Sequence, residues 1–304
     1  MSIRKDLAAL LCLFLFAQGC VTASRSSPTG LAGLPPSIEQ LAHDAQGRVG
    51  AAACVLETDE TVVVAGDDRF PMQSVYKMPI AMAVLHDVDA GLLRIDQAID
   101  IDQEQLAAGM LYSPIRDKFP GGVNLTIGEL LRYAVSESDN VASDVLMRLA
   151  GGPARITTYL RSVGIDAVAV VNTEREMAAD STAQYRNWAT PRGALKMLKV
   201  FHTGAGLSSQ SQKLLRDAMT QTSTGPRRIK GLLPPGTLVA HKTGTSGTVA
   251  GRAAATNDIG IITLPDGRHL AVVVFVSDST ADTEARESTI ARIARAAYDH
   301  VSPQ

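Results

Sequence analysis

The chain has 304 residues, 45% of them apolar and 20% charged, with a formal net charge of −2. That length supports one or two domains with a sizeable core, and the balance is that of a soluble globular protein. Near-neutrality gives no electrostatic footprint for nucleic acid. The histidines at 43, 86, 202, 241, 269 and 300 show neither His-x-His nor His-x-x-x-His spacing, so no metal or other cofactor is expected.

Arg4 and Lys5 precede an apolar run, Leu7 to Phe16, too short to span a bilayer but suited to a secretory signal over residues 1–20. Asp6 is an awkward residue there. The run ends in Ala17-Gln18-Gly19-Cys20, which resembles the cleavage box of bacterial lipoproteins and would make Cys20 a lipid anchor; an ordinary cleavage nearby is the alternative. Both imply an exported, periplasmic protein. Cys54 would then be the one core cysteine, so no disulfide within the domain is expected.

Residues 21–36, rich in Ser, Thr, Pro and Gly, read as a flexible tether. Ser37 is placed to cap a helix over Ile38–Ala45. Strands follow at Val49–Glu57 and Thr61–Ala65, joined by a tight turn at Thr58-Asp59-Glu60. From Ser74 to about Thr220 the apolar spacing is helical, near 74–90, 126–135, 139–150, 153–163 and 190–203, with glycines as punctuation. Pro79 should distort the first of these helices. Strands return at Thr237–Lys242, Arg252–Thr263 and His269–Val276, and an amphipathic helix through Ile290, Ile293, Ala297 and Val301 closes the chain. Two early and three late strands imply a five-stranded antiparallel sheet flanked by helices, an α+β (α/β sandwich) fold with an inserted all-α lobe. The single domain would span 37–302, with an α/β lobe at 37–70 and 221–302, a helical lobe at 71–220, and a cleft between them.

Ser74-Val75-Tyr76-Lys77 begins the first of those helices, where Ser74 and Lys77 share a face. A lysine that is partly desolvated can take the serine proton, and the N–H groups at a helix start favour an anion formed there, which describes an acyl-transfer nucleophile. Alone the spacing is weak, since Ser2-Ile3-Arg4-Lys5 repeats it inside the leader. Ser138-Asp139-Asn140 lies between two helical segments, where its hydroxyl and amide could face a cleft or simply cap the next helix. Lys242-Thr243-Gly244 ends a strand. Its lysine, its threonine and Thr245 offer a cation and hydroxyls to an anionic group, while Gly244 lets a ligand approach the strand edge. A plain strand-ending turn is the alternative.

Taken together, in this order and these contexts, the three motifs match the pattern of class A β-lactamases and penicillin-binding proteins. Over about residues 37–302 the chain resembles the class A serine β-lactamases. The stretches Gln184-Tyr185-Arg186-Asn187-Trp188 and Thr256-Asn257-Asp258-Ile259-Gly260 look most like the extended-spectrum branch of PER- and VEB-like enzymes. The resemblance implies hydrolysis of penicillins and cephalosporins through a serine acyl-enzyme, by a monomer whose partner is the small-molecule β-lactam. Ser74 would be the nucleophile, Lys77 and Ser138 would relay protons, and the N–H groups of Ser74 and Thr245 would form the oxyanion hole. Asn140, Lys242, Thr243, Gly244 and Thr245 would bind substrate, with Arg228 adding a cation for which Arg252 competes. Tyr112 would line the cleft mouth or be an ordinary half-buried tyrosine.

Glu174, in the loop candidate Asn172-Thr173-Glu174-Arg175-Glu176-Met177, would be the deacylating base, with Glu176 as a fallback. Three departures from the usual family pattern accompany it. Arg175 replaces a proline, Asn172 an arginine that forms an ion pair, and Ala178 an asparagine that helps hold the hydrolytic water. A peptidoglycan D-Ala-D-Ala peptidase using the same serine and lysine is the alternative, and it would lack Glu174. A non-catalytic β-lactam sensor is the third reading.

Overall fold

The computed structural model describes residues 30–106 and 112–302. The leader, Cys20 and residues 21–29 of the expected tether lie outside the described residues. Five strands build one antiparallel sheet: β1 (Arg48–Val55), β2 (Glu60–Val64), β3 (Val239–Thr245), β4 (Arg252–Thr263) and β5 (His269–Ser279), in the order β2-β1-β5-β4-β3. A two-residue ribbon, Thr248–Val249, pairs with the start of β4 as a short sixth member. β1 and β5, from opposite ends of the chain, pair from Arg48 with Ser277 to Val55 with Leu270.

Buried on both faces, β5 is an unbroken apolar run whose alternate residues serve two cores. Leu270, Val272, Val274 and Val276 join the outer core. There they meet α1 (Leu34–Ala42) and the closing helix Thr283–Val301. Ala271, Val273 and Phe275 join the inner core with α2 (Lys77–Asp89), α3 (Ile127–Ser136), α4 (Asn140–Leu149), α5 (Pro153–Ser162), and two later helices, Pro191–Thr203 and Ser209–Thr220.

Several expectations are corrected. The first helix begins at Leu34, with prolines in its first turn, so Ser37 lies inside it instead of capping it. Proline suits that position, because φ is pre-set and the missing N–H has no intrahelical partner. Leu31 and Leu34 are fully buried, so the last residues of the expected 21–36 tether belong to the outer core. Pro79 is the third residue of α2, where an N–H is not needed either, and the helix accommodates it. The inserted part is not all-α: Ala98–Ile101 pairs with Val123–Thr126, and short strands at Phe70–Pro71, Val168–Ala169 and Trp188–Ala189 form a small sheet. Helix Pro191–Thr203, assigned by sequence to the helical lobe at 71–220, packs on β1 and β5, and one apolar core runs through both regions.

Candidate active site

Ser74 lies in a 3-10 turn, Gln73–Tyr76, that leads straight into α2, whose first residue is Lys77. Gln73 has φ of 47°, a left-handed conformation that costs a non-glycine residue roughly 1–3 kcal/mol and persists where the surroundings enforce it. Two contacts do the enforcing. A Cβ on Gly244 would fall 2.3 Å from the Met72 carbonyl oxygen, so only glycine lets the end of β3 lie against the segment carrying the serine. Asn257 of β4 donates its side-chain amide to the carbonyls of Pro71 at 2.8 Å and Met72 at 3.1 Å. The close approach that Gly244 permits is thus that of the protein's own turn, where the sequence suggested a ligand.

The Lys77 amine is buried and surrounded by oxygen. Its Nζ donates to the Ser138 carbonyl at 2.6 Å, to Asn140 Oδ1 at 2.5 Å and to Ser138 Oγ at 3.4 Å. It also pairs with Glu174 Oε1 at 3.2 Å. A second buried lysine, Lys242, donates to the same Ser138 hydroxyl at 3.1 Å. Burial, reinforced by the Lys77 charge, holds the Lys242 ammonium well below the usual lysine range. Ser138 has φ of 59°. The next residue, Asp139, caps α4 through Ala142 N and also accepts from Ser113 Oγ and Ile115 N, each at 2.8 Å. Capping and cleft-facing therefore divide between neighbouring residues of one tripeptide.

Glu174 is buried at the start of a short helix, α6 (Glu174–Ala179), in a stretch that lacks any periodic pattern in the sequence. Thr173 and Glu176 form a reciprocal capping box. The Glu176 carboxylate accepts from Thr173 N at 2.8 Å and from Asn172 Nδ2 at 3.3 Å, so it is committed to the cap and is no fallback base. Asp144 of α4 accepts from Glu174 N at 2.8 Å and Arg175 N at 3.1 Å. In place of an ion pair at Asn172, the buried Asn187 side chain holds the loop. Its Oδ1 accepts from Val171 N and Asn172 N at 2.7 and 2.8 Å, and its Nδ2 donates to Asn172 O at 2.8 Å. Gln73 bonds to Gln184, tying the nucleophile's turn to the same loop.

Arg228 is buried against the end of β3. It donates to Gly244 O at 3.1 Å, Asn257 O at 2.9 Å and Thr245 Oγ1 at 2.7 Å, and pairs with Glu287 at 3.2 Å. The exposed Arg252 instead donates to the Asp278 carbonyl, which removes it as the competitor. The Thr243 hydroxyl is buried and bonded to that of Thr224 at 2.5 Å, whereas Thr245 is exposed. Tyr112 is 56% exposed, and its carbonyl accepts from Asn140 N at 3.1 Å. An open cleft of about 260 Å³ is lined by Gln73, Asn140, Glu174, Ala178, Gln184 and Thr245, among others.

Sequence reasoning missed Asp144, Asn187 and Tyr76. Tyr76 is fully buried and accepts from Ser143 Oγ at 3.4 Å; burial, with the Glu174 and Asp144 charges, pushes its hydroxyl well above the usual tyrosine range. A polar residue at an otherwise apolar helix position, as Asp144 and Ser143 are in α4, is the signal that could have found this cluster.

The family model for the β-lactamase enzyme family matches residues 34–301. The extended-spectrum β-lactamase PER-1 of Pseudomonas aeruginosa is 45% identical over 266 residues, covering 87% of this chain and 86% of that protein. The β-lactamase VEB-1 of the same organism is 40% identical, covering 86% and 88%. Among solved structures, a β-lactamase from Chitinophaga pinensis is 46% identical with a TM-score of 0.85, covering 87% of this chain and 97% of that one. The TLA-1 extended-spectrum β-lactamase is 41% identical with a TM-score of 0.86, covering 90% and 99%.

Proposed function

The chain belongs to the β-lactamase enzyme family, within class A, and from that premise we propose how its cleft opens and clears a β-lactam ring. Hydrolysis of the lactam amide, conferring antibiotic resistance, is its activity; the peptidase alternative is not favoured. The observation that carries the site assignment is the convergence of Ser138, Asn140 and Glu174 on the single buried amine of Lys77, one turn from Ser74.

Ser74 Oγ attacks the lactam carbonyl, its proton passing toward Lys77 or Glu174, which are ion-paired to each other. The N–H groups of Ser74 and Thr245 stabilise the oxyanion, commonly a large term in acyl transfer. The C–N bond then breaks and the departing nitrogen takes a proton from Ser138, whose hydroxyl Lys242 already donates to. A lysine held below its usual range by burial is suited to replenishing that proton path. Arg228, Thr245 and Lys242, with Thr243 and Gly244 shaping the strand end, hold the substrate carboxylate, and Asn140 binds the acylamino side. Tyr112, mostly exposed, forms the outer rim.

Glu174 then takes a proton from water, and the hydroxide attacks the ester, releasing product and restoring Ser74. Its Oε1 is buried, ion-paired with Lys77 off the hydrogen-bonding axis, and has no aligned donor among the described residues. That leaves a lone pair without a donor on a residue that lines the cleft, beside Ala178, which supplies no polar atom there. The resemblance to the extended-spectrum β-lactamases PER-1 and TLA-1 supports an extended spectrum that includes oxyimino-cephalosporins. The leader and the Cys20 motif support an exported, periplasmic protein tethered by lipid at Cys20.

The test is a hydrolysis panel of a penicillin, a chromogenic cephalosporin and an oxyimino-cephalosporin, with Ser74→Ala as blank. Multiple turnovers on all three are expected. Release of one equivalent followed by arrest would point to the peptidase or the sensor.

A further inference from the structure

The sequence spacing of histidines hides a cluster that folding creates. His269 opens β5, Glu57 follows β1, and His202 lies in the last turn of the helix Pro191–Thr203. The His202 and His269 rings meet with centroids 4.7 Å apart, tilted by 56°. Glu57 Oε1 lies 2.7 Å from His269 Nδ1, and Glu57 Oε2 accepts from His269 N at 2.9 Å, which fixes the carboxylate beside the rings. One potential ligand atom from each of the three side chains lies within 4.8 Å of the others. His202 is half-buried, but its Nδ1 atom is buried and has no hydrogen-bond partner among the described residues, an orphaned polar atom of a kind folded proteins rarely keep.

From this we propose that Glu57, His202 and His269 form a binding site for a divalent transition-metal ion, most suitably zinc. Two imidazoles and one carboxylate form a donor set that suits zinc, nickel or copper and disfavours magnesium and calcium, which take oxygen. In a tetrahedral zinc site neighbouring ligand atoms are about 3.3 Å apart, given bonds of about 2.0–2.1 Å. The widest separations, at most 4.8 Å, would close in by up to roughly 1.5 Å, while Glu57 and His269, already 2.7 Å apart, would open slightly; side-chain rotation reaches this because Glu57 is exposed. Solvent would fill the fourth position.

The ion would clip the helix carrying His202 to the β1 and β5 strand ends. The site is remote from the β-lactam cleft: His269 pairs with Thr263 at one end of β4, and Thr245 pairs with Thr256 seven residues earlier, roughly 24 Å along the strand. Its role is thus in stability.

The test uses untagged, chelator-treated full-length protein, with zinc ions added during calorimetric titration and thermal unfolding. One equivalent should bind saturably and raise Tm. Binding should weaken at least about tenfold in His202→Ala, in His269→Ala and in Glu57→Gln. His202→Gln and His269→Gln repeat the comparison with bulkier side chains in case alanine unsettles the fold. In imidazole NMR spectra of the folded wild type, zinc should shift the ring signals of His202 and His269 first. No saturable binding, or one equivalent bound equally well by wild type and variants with these two rings undisturbed, would overturn the proposal.

Discussion

Asp144 accepts the backbone N–H of Glu174 at 2.8 Å, so one carboxylate suspends the residue that carries another. Burial, with the neighbouring Glu174 charge adding to it, pushes the Asp144 carboxyl up to about 6 from 3.8. A carboxyl raised in the folded state favours folding when protonated: its contribution is whole below about pH 4 and is lost as pH rises through 6. The span corresponds to roughly 3 kcal/mol. Asn at this position has no such titration. The stability of the wild type relative to Asp144→Asn should therefore fall by up to roughly 3 kcal/mol between pH 4 and pH 7.5. Urea unfolding of both proteins at the two pH values measures this, and an unchanged difference would refute it.

Asn187 holds the glutamate loop from the opposite side, with three backbone hydrogen bonds. Truncation in Asn187→Ala leaves the buried N–H of Asn172, the part-buried N–H of Val171 and the Asn172 carbonyl without this partner, at a cost of about 2–4 kcal/mol. Because the loop carries Glu174 and not Ser74, deacylation should slow more than acylation. Single-turnover kinetics separate the two steps, and an equal effect on both would count against this division.

Gly244 packs where a methyl group would meet the Met72 carbonyl at 2.3 Å. Backbone cannot yield cheaply there, so Gly244→Ala should move the end of β3 away from the serine's turn. If the N–H of Thr245 stabilises the oxyanion, the acylation rate should drop about 10²–10³-fold. Acylation within twofold of wild type would show that the contact does not position the site.

Arg228 and Arg227 both reach Glu287, but only Arg228 is buried and touches Thr245. Arg228→Ala leaves Glu287 without its buried partner, which typically costs about 3–5 kcal/mol, and should raise KM for carboxylate-bearing substrates at least about tenfold. The exposed Arg227 pair should be worth under about 1 kcal/mol, with KM unchanged in Arg227→Ala. Thermal melts and steady-state kinetics on the two variants distinguish the arginines.

Much of this was legible before any coordinates. The unbroken apolar run of β5 and the 3.6-residue spacing of α3 to α5 declare themselves, because each side chain's burial follows from its place on one element. Ser74, Lys77, Ser138 and Lys242 could be singled out because their chemistry lies in short local motifs. Asn187 could not be, since what it does depends on backbone groups distant in the chain, and Asp144 offered only the sign of a polar residue on an apolar helix. The α6 helix escaped notice because one capping box and two turns are too short to show a period. The His202–His269 contact joins a helix end to a strand start, so no spacing rule could reveal it.

The central claim is that Glu174 clears an ester formed on Ser74. Intact-protein mass spectrometry of Glu174→Gln, mixed with an oxyimino-cephalosporin and quenched over time, tests it most directly. A mass increase of one acyl group should appear on Ser74 and persist, while the wild type returns to its free mass. Rapid turnover by the variant, with no persistent adduct, would contradict the account.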